Sequence, residues 1–352
     1  MPARPKPGSA EIVLCSTVDD LVSMIIKAAS EMDKHPAQVS VMEMRRFGVT
    51  DRNINELGGI RKARSKATGD LAAVPIPTPK EAAEKAVRQR PKRKKPAWKR
   101  GESRKIEGWR TVAILSDIHV PEQDAGCLGA CIAWLKDVRP DIIIINGDIG
   151  EWESMSVFSN GGLMALEDEI GVVGWLLDKI TEASPSSEVV INEGNHETRL
   201  PRWIARNAPQ LDGIITIPDK LRLEDRGIRW VPEDEQPYSI GGLDVIHGHQ
   251  DLKGWGPIYA ARKFADLHGR PGRVVVYGHT HKHQAFDRPH SQGVSRAIGL
   301  PCMRSLRPGW THGRTNAWSH GWGLAHVSDT SARVELVTYA DGVALYGGRA
   351  YR

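Results

Sequence analysis

Five short apolar runs, each ending in a cluster of Gly, Asp, Asn or His, constrain this 352-residue chain more than any other feature. Residues 111–115 lead into Ser116-Asp117-Ile118-His119, and residues 142–145 into Asn146-Gly147-Asp148-Ile149-Gly150-Glu151. Residues 189–191 lead towards Gly194-Asn195-His196-Glu197, residues 243–246 into His247-Gly248-His249, and residues 274–277 into Gly278-His279-Thr280-His281. Continuous apolar runs of this length, bounded by turn residues, suit strands buried on both faces of a sheet, hence an α/β layered fold. Amphipathic stretches around residues 125–135 and 166–180 read as the helices between them. Residues 287–290 and 310–322 are too irregular for a helix and read as loops flanking the site.

The carboxyl ends of successive strands are where open α/β sheets place their ligands. The residue types there serve one purpose. Carboxylate, imidazole and amide oxygen or nitrogen donors suit Mn²⁺, Fe or Zn²⁺, and no soft thiolate is among them. Asp117, His119, Asp148, Asn195, His247, His279 and His281 can fill two adjacent cations if one Asp bridges. Glycines beside them let the chain turn sharply as each strand ends. Any one of these residues alone reads as a cap or a turn; five ordered clusters do not. The cysteines Cys15, Cys127, Cys131 and Cys302 form no CxxC pair, and Cys127 and Cys131 fall on one helix face as buried small hydrophobes.

Asp117-x-His119, Gly147-Asp148-x-x-Glu151, Gly194-Asn195-His196-Glu197, His247-Gly248-His249 and Gly278-His279-x-His281 resemble the signature blocks of the calcineurin-like metallophosphoesterase superfamily, over roughly residues 111–285. The resemblance implies a four-layer αββα sandwich with the site at the strand ends. It also implies that Asp117, His119 and His281 hold one metal, that Asn195, His247 and His279 hold the other, and that Asp148 bridges them. Two divalent ions are implied, Mn²⁺ first, with Fe, Zn²⁺ or Ni²⁺ as alternatives. Glu151 occupies a variable position of the second block and reads as a support rather than a ligand. His249 is a candidate contact to phosphate or to a ligand.

Two adjacent metals lower the pKa of a water between them and clamp the phosphoryl oxygens, so that hydroxide attacks in line. His196 follows Asn195 directly, and neighbouring side chains diverge at a turn. It is therefore the candidate general acid for the leaving oxygen, or a group that stabilises its charge. Glu197 or a backbone carbonyl is expected to orient that imidazole. Arg199 is a candidate phosphate contact or a surface ion pair.

Charge is divided unevenly. Residues 1–105 carry 23 Lys/Arg against 12 Asp/Glu, a net +11 within an overall +5, so the remainder is net −6. Residues 12–66 read as three short helices: the first carries Leu21, Ile25, Ala28, Ala29 and Met32 on one face, the second opens at Ser40-Val41-Met42-Glu43, and the third stops at Gly58-Gly59. That pattern (residues 1–66) resembles a helix-turn-helix-type module, with a small bundle for protein contacts as the alternative. Residues 67–105 read as a linker, Pro-rich and then basic, with eleven Lys/Arg against one acid between Lys85 and Lys105. Such a run is either a phosphate-backbone tether or a solvated spacer. Residues 106–352 then form the catalytic domain.

The tail after His281 interleaves Arg304, Arg307, Trp310, Trp318 and Trp322 with glycines, which suits either stacking on bases or packing of a sandwich edge. No apolar run reaches the roughly 20 residues a membrane helix needs, and residues 1–10 lack a signal-peptide core, so a cytoplasmic location is expected. The leading reading is a dinuclear phosphodiesterase acting on DNA, a nuclease. A phosphomonoesterase or protein phosphatase with a recruitment module is the alternative. A DNA-binding or assembly protein with an inactive enzyme domain is the third, and the complete donor set argues against it.

Overall fold

The computed structural model describes residues 17–31, the single positions 39, 44, 49 and 54, and residues 103–156, 164–252, 257–308 and 316–352. The chain divides into two compact units, Met1–Ile76 and Pro77–Arg352. In the first, a helix spans Val18–Glu31. Thr17 and Asp20 cap it reciprocally: the Asp20 N–H donates to Thr17 Oγ1 (3.2 Å) and the Thr17 N–H to Asp20 Oδ2 (2.8 Å). This closes the first turn's open donors. Leu21, Ile25 and Ala28, spaced by four and three residues, form its buried stripe. Of the expected second and third helices only Met44 and Ile54 are described, both helical, and most of the 67–105 linker lies outside the described residues. The described positions Val39, Met44, Val49 and Ile54 are all buried.

The second unit contains thirteen described strands: β1 Arg110–Leu115, β2 Ile142–Asn146, β3 Glu188–Asn192, β4 Arg229–Val231, β5 Tyr238–Ile240, β6 Leu243–Ile246, β7 Val274–Tyr277, β8 Gln284–His290, β9 Gly293–Gly299, β10 His320–Val327, β11 Ala332–Ala340, β12 Val343–Tyr346 and β13 Arg349–Tyr351. Eight form one sheet in the order β13-β12-β11-β10-β1-β2-β3-β4, and five form another in the order β5-β6-β7-β9-β8. Strands β1 to β4 run parallel, as do β6, β7 and β9. Helices Ala125–Val138 and Leu166–Ala183 supply the crossovers β1–β2 and β2–β3.

Side-chain alternation makes the layers. Val112, Ile114, Ile142, Ile144 and Val190 of the larger sheet meet Leu243, Val245, Val274, Val276 and Ile298 of the smaller in one shared core. The opposite face of the smaller sheet, with Val275, Tyr277 and Ala297, packs under Phe264 and Ala265 of helix Ala260–His268. Helix Ala125–Val138 packs on the outer face of the larger sheet, where Trp134 meets Trp322 of β10 with ring centroids 5.6 Å apart. Helix, sheet, sheet and helix give the expected four-layer αββα sandwich. Cys127 and Cys131 are buried free thiols in that outer helix. Among the described residues no helix is long and apolar enough to cross a membrane.

Residues 287–290, expected as a loop, belong to strand β8. It is an edge strand paired only with β9, so its side chains alternate half-buried and exposed and carry polar groups. Asp287 pairs across the ladder with Arg296 at 2.6 Å, which supports the strand without any apolar run. Residues 320–322, also expected as loop, begin β10, and Trp322 is fully buried there, so this tryptophan is core packing. Ser103 and Arg104 already belong to the sandwich. The Ser103 hydroxyl donates to the Gly241 carbonyl, and Arg104 pairs with Glu188 at 2.6 Å.

Phe264 is fully buried, stacks on Tyr277 at 4.2 Å, and closes over Gly248, where a Cβ would lie 2.4 Å from its ring. Phe264→Ala is therefore expected to cost about 3–5 kcal/mol of stability in a denaturant melt. It should also loosen the loop after β6, read as faster amide exchange at Gly248. A change below about 1 kcal/mol would mean that this layer is not packed as described.

Candidate metal centre

The carboxyl ends of β1, β2, β3, β6 and β7 converge, and each delivers the cluster that follows it. Two buried asparagines fasten the two sheets directly beneath that point. Asn146, the last residue of β2, donates from its amide to the Ile246 carbonyl (2.9 Å), and Asn192, the last of β3, donates to Asn146 Oδ1 (2.9 Å) and to the Val245 carbonyl (3.1 Å). The sequence reading passed over both. The signal was there, as a polar residue closing an otherwise apolar run.

The donors form overlapping groups. Asp117, His119 and His281 place one ligand atom each within 4.8 Å of one another, and so do Asp148, His247 and His279. His119 Nε2 lies 3.2 Å from His281 Nε2, and His281 Nε2 lies 3.2 Å from Asp117 Oδ1. Asp148 stands between the groups, its Oδ2 being 3.4 Å from His247 Nε2 and 3.7 Å from His119 Nε2. Asn195 Oδ1 is 3.1 Å from His247 Nε2. The structure thus brings all seven candidate ligands to one place. It brings His196 there as well: its Nε2 is 3.7 Å from Asp148 Oδ2, and it forms a third group with His119 and Asp148.

Several features fit a divalent cation. Asp117, His119, Asp148 and His247 are at most 1% exposed, so their lone pairs face one another rather than water. His279 Nδ1 is buried without a hydrogen-bond partner. The far nitrogens of two other rings are fixed from outside: His247 Nδ1 lies 2.8 Å from the Asn146 carbonyl and His119 Nδ1 lies 2.8 Å from Glu151 Oε2. Such contacts set the tautomer that leaves Nε2 free to ligate. Glu151 therefore supports His119.

Charge is redistributed within the cluster. Burial opposes ionisation of Asp117 and Asp148, yet His281 and His247 beside the first, and His196 and His247 beside the second, hold both below the usual carboxylate range. Burial would also lower His247, but Asp148 and Asp117 lift it to about 10. Burial lowers His196 to about 3 and His279 to about 4, keeping both rings neutral.

The backbone is bent to make this cluster. Among the described residues nine non-glycines have φ between +48° and +63°, and five of them are Asp117, His119, Asp148, His279 and His281. Left-handed geometry is costly for a residue with a Cβ and persists only where the surroundings enforce it. Part of the enforcement is close backbone approach: a Cβ on Gly194 would lie 2.3 Å from Asp148 Oδ1, so only glycine fits there.

The remaining candidates divide. His196 Nδ1 lies 3.0 Å from the Glu151 carbonyl, so a backbone carbonyl orients this ring and Glu197 does not. Glu197 is fully buried and accepts instead from the N–H groups of Asp148 (2.8 Å), Ile149 (3.0 Å), Gly150 (3.4 Å) and Gly194 (2.8 Å), and from Trp152 Nε1 (3.1 Å). Arg199 is partly buried and forms an ion pair, with Glu151 at the edge of the cluster. It reaches His196 Nε2 (3.1 Å), hydrogen-bonds the Glu151 carbonyl, and lies 3.5 Å from Glu151 Oε1. His249 Nε2 is 2.5 Å from Glu233 Oε1, in the wall of a cleft of about 520 Å³ that Glu193, Asp234, Gln236 and Asp251 also line. In the tail, Trp318 meets the His281 ring at 4.5 Å, and buried Arg304 lies 3.5 Å from Glu151 Oε2 and over the Trp318 ring.

Residues 110–283 match the sequence profile of the calcineurin-like phosphoesterase family. Two phage proteins are similar to the chain. The gene 54 protein of Mycobacterium phage D29 is 25% identical over 256 residues, covering 66% of this chain and 94% of its own length. The gene 54 protein of Mycobacterium phage L5 is 25% identical over 261 residues, covering 68% and 98%. Solved structures of vacuolar protein sorting 29 are also similar. That from Cryptosporidium parvum has a TM-score of 0.33 and 12% identity over 69% of this chain and 95% of its own. That from Chaetomium thermophilum has a TM-score of 0.33 and 10% identity over 66% and 98%.

Two outcomes follow from the cluster. A cation that binds only the folded chain stabilises it by about 2.7 kcal/mol at a hundredfold excess over its Kd. Mn²⁺ added to chelator-stripped protein should therefore raise the melting temperature, and Asp148→Asn should remove most of that rise. An equal rise in the variant would place the cation elsewhere. Separately, burial and the nearby charge of Glu151 lift Glu169, which accepts from the Trp152 N–H, to about 8. A carboxyl raised in the folded state stabilises fully below the ordinary glutamate pKa and loses that contribution as pH climbs through about 8. In chelated protein the melting temperature should fall from pH 6 to 9, less steeply in Glu169→Gln; identical slopes would remove Glu169 as the cause.

Proposed function

We propose, for a chain whose residues 110–283 are a calcineurin-like phosphoesterase domain, that this metal-dependent hydrolase cleaves phosphodiester bonds of nucleic acid, with DNA as the substrate and nuclease action as the outcome. The observation that carries the phosphoester chemistry is the convergence of Asp117, His119, His281, Asp148, Asn195, His247 and His279 at five strand ends. Asp117, His119 and His281 would hold one cation and Asn195, His247 and His279 the other, with Asp148 between them. Two divalent ions there supply Lewis acidity, neutralise phosphoryl charge and make water a nucleophile near neutral pH. Mn²⁺ is the first choice and Fe, Zn²⁺ or Ni²⁺ the alternatives, since oxygen and imidazole donors suit them all.

The chain's own residues do the rest. Glu197 fixes the loop that presents Asp148, and Glu151 fixes the His119 ring. Arg199 stands at the edge of the cluster, where a phosphoryl oxygen would compete with His196 Nε2 for its guanidinium. His196 then faces the leaving oxygen with Nε2. Donation needs a proton on that nitrogen, which Asp148 and an arriving phosphate favour and burial opposes.

Support for nucleic acid comes from the net +11 of residues 1–105. A phosphomonoesterase with a recruitment module is the second reading. The cleft lined by Glu193, Glu233, Asp234 and Asp251 favours it, because a polyanion would be repelled there.

The metal-loaded chain, offered bis-p-nitrophenyl phosphate, p-nitrophenyl phosphate and single- and double-stranded DNA, should turn over the diester and the DNA, and removing residues 1–105 should weaken the DNA reaction. Monoester turnover without DNA cleavage would reject the nuclease. His196→Ala should retain its metal by elemental analysis while losing about 100- to 10,000-fold in turnover. Loss of metal in that variant would make His196 a ligand.

A further inference from the structure

The helix Arg199–Asn207 starts at the site, at the end of the loop that carries Asn195 and His196, and leads away from it. Its sequence holds three arginines and no acid. Leu200 and Ile204 are its buried residues. At 100° per residue Arg199, Arg202, Trp203 and Arg206 fall within one arc of about 100°, on the side away from Ile204. Arg202 and Arg206 are exposed; Arg202 shares its charge with Glu193 of the neighbouring cleft without closing to ion-pair distance. Trp203 between them is 40% exposed, although an indole of that size normally finds cover.

We infer that this helix face is a track for a nucleic-acid strand entering or leaving the metal centre; the inference rests on the nucleic-acid reading above. Arg199 sits at the cluster, and Arg202 and Arg206 follow about 4.5 and 10.5 Å along the axis. Arg202 and Arg206 bind successive phosphates to one side of the scissile one, and the Trp203 face stacks an unpaired base beside them, which is how single strands are held without regard to sequence. A strand held by stacking must be unpaired at that point, so the track selects single-stranded DNA or frayed ends over intact duplex.

The test compares the full metal-loaded chain with the double variant Arg202→Ala/Arg206→Ala and with Trp203→Ala. On a single-stranded oligonucleotide both variants should lose about tenfold or more in kcat/KM, while bis-p-nitrophenyl phosphate, too small to extend beyond Arg199, is hydrolysed at the wild-type rate. Binding of the oligonucleotide to chelated protein, followed by fluorescence anisotropy against salt, should show the log–log slope of the double variant reduced by about 1.4, two phosphate contacts at 0.7 each. Arg202→Lys/Arg206→Lys should restore the slope. An oligonucleotide cleaved and bound identically by wild type and variants would overturn the track and leave the nuclease standing. Turnover of the small diester with no oligonucleotide binding by wild type would overturn both. A loss confined to a phosphopeptide substrate would overturn the track and make the helix a protein-docking face.

Discussion

The centre depends on one fully buried carboxylate, Glu197. Glu197 gathers five N–H donors, three from the consecutive residues Asp148, Ile149 and Gly150, one from Gly194 and one from the Trp152 ring. Burial and the charge of Asp148 lift its pKa to about 7, and the donors resist that rise. Those three backbone N–H groups belong to the loop after β2 and cannot join the β2 ladder once Asp148 adopts a positive φ. Left buried and unpaired, each would cost on the order of 1–3 kcal/mol. A single glutamate from the loop after β3 satisfies them all, and so ties the two loops that carry Asp148 and Asn195.

The same logic explains why the strain is concentrated here. Five cluster residues with left-handed backbone sit at the ends of parallel strands whose registers are fixed by a dry core shared between two sheets. The Asn146–Asn192 pair locks the sheets together one residue beneath the cluster, so the strand ends cannot drift apart to relieve it. In the shared core, packing sets the positions of the chain ends; at the cluster, close approach of Gly194 and Gly278 to carboxylates leaves no room for alternatives. Rigid strands thus hold ligands that would otherwise repel one another.

Much of this was legible in the sequence, because strand ends in a parallel sheet carry a simple code: an apolar run for burial on both faces, then a turn that brings a donor. Residues 243–246 and 274–277 are β6 and β7 to the residue, and helix Ala125–Val138 extends the expected 125–135 by one turn. The edge strand β8 escaped notice because an edge needs no apolar run, only a ladder partner and a cross-strand pair such as Asp287–Arg296. For Glu197 and Arg199 the sequence leaves the partners open: a carbonyl and not Glu197 meets His196, and Arg199 pairs with Glu151. Which atoms a side chain meets depends on how the loops after β2 and β3 fold over each other, and no local spacing encodes that.

Catalytic chemistry and substrate choice are therefore written in different parts of the molecule. The donor cluster is buried, and burial makes its residue types compulsory, so the sequence alone discloses them. Under the nucleic-acid reading proposed above, substrate choice would lie with exposed groups: the arginines of helix Arg199–Asn207, the acids of the neighbouring cleft, and the basic segment ahead of the sandwich. Exposed positions tolerate almost any polar residue without cost to folding, so their pattern becomes informative only once the fold shows which of them border the centre. An arginine three residues after Arg199 has no meaning in a composition count. Placed one helical turn beyond Arg199 and next to an exposed indole, it gains the neighbours on which the proposed track rests.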